Sequence, residues 1–277
     1  MTLILAVFGT CFVLVLALWG YERLRYGRAM VLKAEAHQQG DQADYAMENP
    51  EWEHYHQWLN EHHAYYRSLS EINKTRFLRR VLHFMHNKEF EYVDLEPIPL
   101  MPLLISAAAI QLTFGLEEFR LDQFEKIYVV RTAYRMHGRP QALEGHVNQT
   151  GIYLSWEHIY KAYADHSEVG NVGIHEMAHA LAYMNHKEGA GVNKVFRDKF
   201  KAFSRAAAPV YQKLRHGQSS IFGDYATTDF HEFWAVAAEV FFGKPLQFRA
   251  AEPELYQQLC ILLNQDPIEV YGLGGKS

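Results

Sequence analysis

The chain has 277 residues, with 27 Lys plus Arg against 32 Asp plus Glu, a formal charge of −5. With 49% hydrophobic and 14% aromatic residues it can bury a sizeable core, which excludes a disordered or collagen-like chain. The acidic balance leaves no Lys/Arg-rich footprint for nucleic acid. The two cysteines, Cys11 and Cys260, cannot make a disulfide framework and read as unpaired thiols of a reducing compartment.

Residues 2–21 contain no charge, and twenty such residues in a helix span roughly 30 Å, the thickness of a bilayer core. A cleaved signal peptide would want positive charge before the apolar run and a small-x-small site after it. Here Arg23, Arg25, Arg28 and Lys33 come afterwards, with Trp19 and Tyr21 as interfacial aromatics. The reading is a transmembrane anchor over 1–28 in the inner (cytoplasmic) membrane, single-pass, with the rest of the chain facing the cytoplasm. Residues 29–50 follow as a polar juxtamembrane linker, 51–270 as the folded domain and 271–277 as a flexible tail.

In residues 51–69, Trp52, Tyr55, Trp58 and Leu59 recur at helical spacing. His54, His56, His62 and His63 read as the polar face of that helix, because no neighbouring Cys or Asp completes a ligand set. The spacing of Phe77, Val81, Leu82 and Phe84 predicts a helix over about 70–86. Pro97, Pro99 and Pro102 break the chain before the apolar run 103–112, which is too short to cross a membrane and reads as a buried core helix. Residues 126–130 and 151–156 are β-rich, separated by a loop with Gly138, Pro140 and Gly145. Helical patterns continue from about 171 to the end, without internal repeats.

His175-Glu176-Met177-Ala178-His179 carries the sharpest chemistry. On a helix the i and i+4 imidazoles share one face, so both can reach one Zn²⁺ at ~2.0–2.1 Å. Glu176 is then placed to take a proton from an attacking water. Roughly 0.08 matches to this pattern are expected by chance in a chain of this composition. A third ligand is needed, and residues 229–239 offer one. Glu232 and Glu239 stand two helical turns apart on a face otherwise made of Phe, Trp, Val and Ala, where a carboxylate needs a partner. Glu232 could instead complete a capping box with Asp229, and His231 is an alternative ligand.

Taken together, Gly170-Asn171-Val172 leading into His175-Glu176-x-x-His179, the segment 151–156 upstream and Glu232-Phe233-x-Ala235-Val236-x-x-Glu239-x-Phe241-Phe242 downstream resemble the MtfA-type (glucose-regulated) zinc peptidases. The resemblance covers roughly residues 70–268 and includes the core run around Ala107-Ala108. It implies a gluzincin-like α+β fold, mainly helical with a small sheet, here preceded by one transmembrane helix. It further implies one Zn²⁺ on His175, His179 and Glu232, and it passes to Tyr225 the role of a tyrosine that stabilises the oxyanion. Two departures stand out. Ala182 occupies a place where the family commonly has Asp, so that Glu239 or a backbone carbonyl must serve as the outer partner, and the membrane helix is not a feature of the soluble members.

The expected function is zinc-dependent hydrolysis of peptide bonds in a peptide or protein substrate, with Glu176 as general base and residues 151–156 as the strand edge that pairs with an extended substrate. The alternative is a membrane-tethered regulatory or binding protein, with a protein partner and a silent or structural zinc site. Retention of Glu176 favours the enzyme, since a structural site has no use for a base. Loops 132–150 and 186–192 would decide between endopeptidase and aminopeptidase.

Overall fold

A computed structural model describes residues 51–135, 142–164, 170–186, 193–218 and 220–274, all within the unit Pro50–Ser277. The anchor expected at 1–28, the linker at 29–50, Cys11, Gly138, Pro140 and residues 275–277 lie outside the described residues, as do parts of both loops. Among the described residues no helix is long and apolar enough to cross a membrane.

Three helices open the unit: α1 (Trp52–His62), α2 (Ala64–Ser68) and α3 (Glu71–His86). Ser70 caps α3, its hydroxyl accepting from the Asn73 N–H. Phe77, Val81 and Phe84 face the core as their spacing predicts, joined by Leu78, while Leu82 is only partly buried. His56 bonds the Tyr66 hydroxyl at 2.7 Å and His54 lies against Trp58. His63 departs from the expected polar face. The chain breaks helical geometry there (φ −122°, ψ 96°), so residue 63 leaves the periodicity of α1 and turns inward. It is 1% exposed, its Nδ1 accepts from the Tyr66 N–H, and its ring rests against Tyr163 and Phe77.

A βαβ unit follows: β1 (Glu89–Val93), α4 (Leu100–Thr113) and β2 (Lys126–Val130). Helix α4 starts earlier than the prolines suggest. Pro102 sits in its first turn, where the missing N–H has no intrahelical partner to lose. From Leu103 to Thr113 the helix is buried all round, which is why its sequence is a continuous apolar run rather than an amphipathic one. Arg76 and Arg80 donate to the Phe114 carbonyl, and Arg80 also to Leu116, beyond its carboxyl end. Gly115 is required at that point, because a Cβ would lie 2.3 Å from the Asn264 carbonyl oxygen.

Strands β3 (Tyr134–Arg135) and β4 (Ala142–Leu143) pair with each other, while β5 (Gly145–Asn148) and β6 (Gly151–Ser155) join the main sheet. Its order is β1-β2-β6-β5, the first three parallel and β5 antiparallel to β6. This corrects the expectation that 151–156 forms the open edge. Strand β6 is internal, paired with β2 and β5, and its nearly continuous burial is that of a strand covered on both faces. The edge is β5, folded back through a two-residue connection in which the Thr150 N–H bonds Asn148 Oδ1.

The remaining helices are α5 (Trp156–Ala164), α6 (Val172–His186), α7 (Lys194–Arg215), α8 (Phe230–Gly243), α9 (Pro245–Ala251), α10 (Pro253–Leu263) and α11 (Pro267–Val270), with a 3-10 turn at Asp224–Thr227. Helix α6 contacts both α4 and α8. The fully buried Trp234 of α8 donates to the Ala178 carbonyl of α6 at 2.8 Å and meets Phe200 and Phe203 of α7 edge-on. Tyr271, assigned to a tail by sequence, packs against Tyr65, and the Leu273 N–H bonds the Ile268 carbonyl. The folded part therefore extends past residue 270. The class is α+β, mainly helical with a small sheet.

Burial lowers the His63 pKa to about 3. A folded-state pKa below the unfolded value of about 6.5 means that the unfolded chain binds the extra proton. Stability is therefore fully present above about pH 6.5 and is lost at up to roughly 1.4 kcal/mol per pH unit as pH falls toward the folded value. Urea unfolding of wild type and His63→Asn at pH 7 and pH 5 should show a shallower acid loss in the variant, which keeps a capping side chain. Equal losses would contradict the assignment.

Candidate metal centre

Helix α6 places His175 and His179 one turn apart, and α8 brings Glu232 to them across the packed Trp234 contact. His175 Nε2 lies 3.0 Å from Glu232 Oε2 and 3.1 Å from His179 Nε2, and His179 Nε2 lies 3.4 Å from the same oxygen. These residues form the one His/Cys/Asp/Glu group among the described residues that could hold a metal ion. Donors at ~2.0–2.1 Å from a tetrahedral Zn²⁺ stand roughly 3.3 Å from one another, so the three separations fit that ion. Two imidazole nitrogens aimed at each other and at a carboxylate also match the ligand chemistry of zinc.

Asp229 does cap α8, Oδ1 accepting from the His231 and Glu232 N–H groups. Capping and ligation coexist because the cap uses the Glu232 backbone and leaves its carboxylate free to turn toward α6. His231 is exposed and is not part of the cluster. Glu239 is the outer partner. Its Oε1 takes the His175 Nδ1–H at 2.6 Å and its Oε2 accepts the Asn171 N–H at 2.8 Å. Fixing the proton on Nδ1 leaves the Nε2 lone pair for a cation and orients the ring. Ala182, where the resemblance would place an Asp, is buried in the core.

Burial alone would lower the His175 pKa, but its bonds to Glu232 and Glu239 raise it to about 10. Burial would raise the Glu232 carboxyl, but His175 and His179 hold it well below the usual range. A bound cation must displace the proton these groups share, so metal affinity falls in acid.

Glu176 lies beside this cluster, 4% exposed. Burial pushes its carboxyl up to about 8, opposed by His175 and reinforced by Glu232, Glu239 and Glu144. Its Oε2 is buried without a hydrogen-bond partner. Gly145, the first residue of β5, accounts for the close approach of the sheet edge: a Cβ there would lie 2.6 Å from Glu176 Cγ. Sequence reasoning placed Gly145 in a loop and missed this role. Tyr225, in the 3-10 turn, has its ring 5.8 Å from that of His175, and burial followed by the Glu232 charge raises its hydroxyl pKa. His175, Glu176, His179, Glu232 and Tyr225 thus come together while His231 does not, and a cleft of about 570 Å³ opens beside them, lined by His175, Glu176, Tyr225 and Gly145.

The family model described as "Glucose-regulated metallo-peptidase M90" matches residues 37–262, and the chain belongs to that family. Mlc titration factor A of Klebsiella pneumoniae (strain 342) is 25% identical over 224 residues, covering 73% of this chain and 82% of that protein. Mlc titration factor A of Escherichia fergusonii is 30% identical over 140 residues, covering 48% of this chain and 52% of that protein.

Metal analysis after dialysis should find about one zinc per wild-type chain and greatly reduced zinc in Glu232→Ala. Glu239→Gln should weaken zinc affinity about 10–100-fold, the usual effect of losing a ligand's outer partner. Full zinc in Glu232→Ala together with loss in His231→Ala would contradict the ligand set.

Proposed function

We propose that this member of the M90 family is a zinc peptidase in which His175, His179 and Glu232 hold the ion and Glu176 is the general base. The observation that carries this reading is the buried, unpartnered Glu176 Oε2 beside a three-donor cluster and an open cleft. A carboxylate oxygen left without a partner at that depth is costly unless a reacting molecule completes it. Zinc bound there supplies Lewis acidity, polarising a peptide carbonyl and making a water more acidic.

Glu176 takes the proton of the attacking water and passes it to the leaving amine. The Tyr225 hydroxyl, kept protonated by its raised pKa, donates to the carbonyl oxygen as negative charge develops. The free edge of β5, next to Glu176, aligns an extended substrate through main-chain hydrogen bonds. A second reading, a regulatory protein that binds a partner without cleaving it, draws on the relatives' name, Mlc titration factor A. The burial of an intact Glu176 favours the enzyme, since binding alone needs no base.

Metal-loaded Glu176→Gln should retain zinc and lose turnover by roughly 10²–10⁴-fold, the contribution of general-base catalysis, and chelator should abolish wild-type hydrolysis while the fold survives. Near-normal hydrolysis by the metal-loaded variant would overturn the mechanism. The charge placement around residues 2–21 supports a membrane-anchored protein with its peptidase domain in the cytoplasm. Alkaline phosphatase fused after Ser277 should therefore be inactive, and an active fusion would reverse the orientation.

A further inference from the structure

We propose that the outward face of α7 is a docking surface for anionic lipid headgroups, by which the folded unit lies against the membrane. This rests on the membrane-anchored reading and goes beyond it, since an anchor alone leaves the domain free to face any way. Helix α7 carries seven Lys and Arg against one acid, Asp198, in a chain that holds 27 against 32 as a whole. Phe196, Phe203, Ala207, Val210 and Leu214 pack its inner side into the core. On the outer side Lys194, Lys201 and Arg205 follow at spacings of seven and four, which keeps them on one stripe. All three are exposed, as are Lys213 and Arg215.

These cations are placed against local preference. Lys194 stands in the first turn, where the helix macrodipole favours acids, and that turn contains none. Lys201 and Arg205 are four apart, a like-charge pair that destabilises a helix. Lys201 has Asp198 at 3.9 Å, while Lys194, Arg205 and Lys213 make no hydrogen bond or ion pair with any described residue. Solubility does not require the arrangement in a chain that is acidic as a whole. A stripe that works against its own helix is what an external polyanion would neutralise.

The kind of polyanion follows from where the chain would be held. Cytoplasmic leaflets carry anionic lipid, and each Lys or Arg within a Debye length of one strengthens binding by about fivefold. Residues 29–50, between the anchor and the folded unit, can span at most about 75 Å. That tether keeps α7, itself roughly 33 Å long, at a high effective concentration beside the surface, an advantage that a nucleic acid or an acidic protein in solution does not have. A planar array of mobile headgroups also meets a straight row of cations without any shaped pocket.

The test uses the full-length chain with Cys11→Ser and a dye on Gln212→Cys, an exposed position five turns beyond Lys194 on the same stripe. Cys260 is buried and stays unlabelled. The protein is reconstituted into vesicles of phosphatidylcholine, alone or with about one third phosphatidylglycerol, each containing a shallow doxyl lipid that quenches a dye at the surface. Quenching should rise with the anionic lipid and fall as salt is raised from about 0.05 to 0.5 M. The docking equilibrium should drop about fivefold in Arg205→Gln and about a hundredfold when Lys194→Gln and Lys201→Gln are added. It should hold in Lys194→Arg with Lys201→Arg, and all variants should keep the wild-type circular dichroism. Quenching that ignores anionic lipid, or that survives the triple substitution, would overturn the proposal. A dye response to a DNA duplex, with none to phosphatidylglycerol, would overturn the lipid assignment. Retention in phosphatidylcholine vesicles through an alkaline wash reports the anchor separately. Salt-sensitive quenching combined with loss in that wash would uphold the surface and overturn the anchor alone.

Discussion

Two carboxylates on a helix that is otherwise apolar organise this molecule. Glu232 and Glu239 project from α8 amid buried Phe233, Trp234, Ala235 and Ala237, and neither can remain unpartnered there. Both find His175, one on each ring nitrogen. That double engagement sets the register of α8 against α6, and the Trp234 bond to the Ala178 carbonyl holds it in place one turn further on. The position of His179, the lone pair left on His175 Nε2 and the approach of Tyr225 from the preceding turn follow from this one contact.

The sheet contributes an edge and a gap. Three parallel strands carry the core side of the domain, and the antiparallel β5, last in the order of the sheet, runs beside Glu176. Only glycine fits at position 145 without displacing the Glu176 side chain. The result is a carboxyl surrounded by protein on most sides and by cleft on the rest. Its raised pKa comes chiefly from that enclosure, so the packing of the edge strand and the acid–base character of the site have the same origin.

Much of this was legible in the chain itself. The i,i+4 histidines with Glu176, the two-turn spacing of Glu232 and Glu239, and the continuous apolar run of α4 each follow from local periodicity, because a helix converts spacing directly into a shared face. Local reasoning failed where a residue's surroundings come from distant segments. His63 leaves its helix and enters an aromatic pocket built from α3 and α5. Strand β6 reads like any hydrophobic strand, and nothing in 151–156 reveals that 145–148 folds back to cover its side.

By itself, then, the sequence placed His175, Glu176 and His179 on one helix and narrowed the third candidate donor to residues 229–239, since those depend on residue types a few positions apart. Tertiary structure alone decided which of Glu232 and His231 faces the histidines, that Glu239 stands behind His175 where Ala182 offers no carboxylate, and which strand lies open beside the site. Each of these is a choice between orientations of equal local merit. It is settled by the free energy of burying charge and apolar surface between segments that are tens of residues apart.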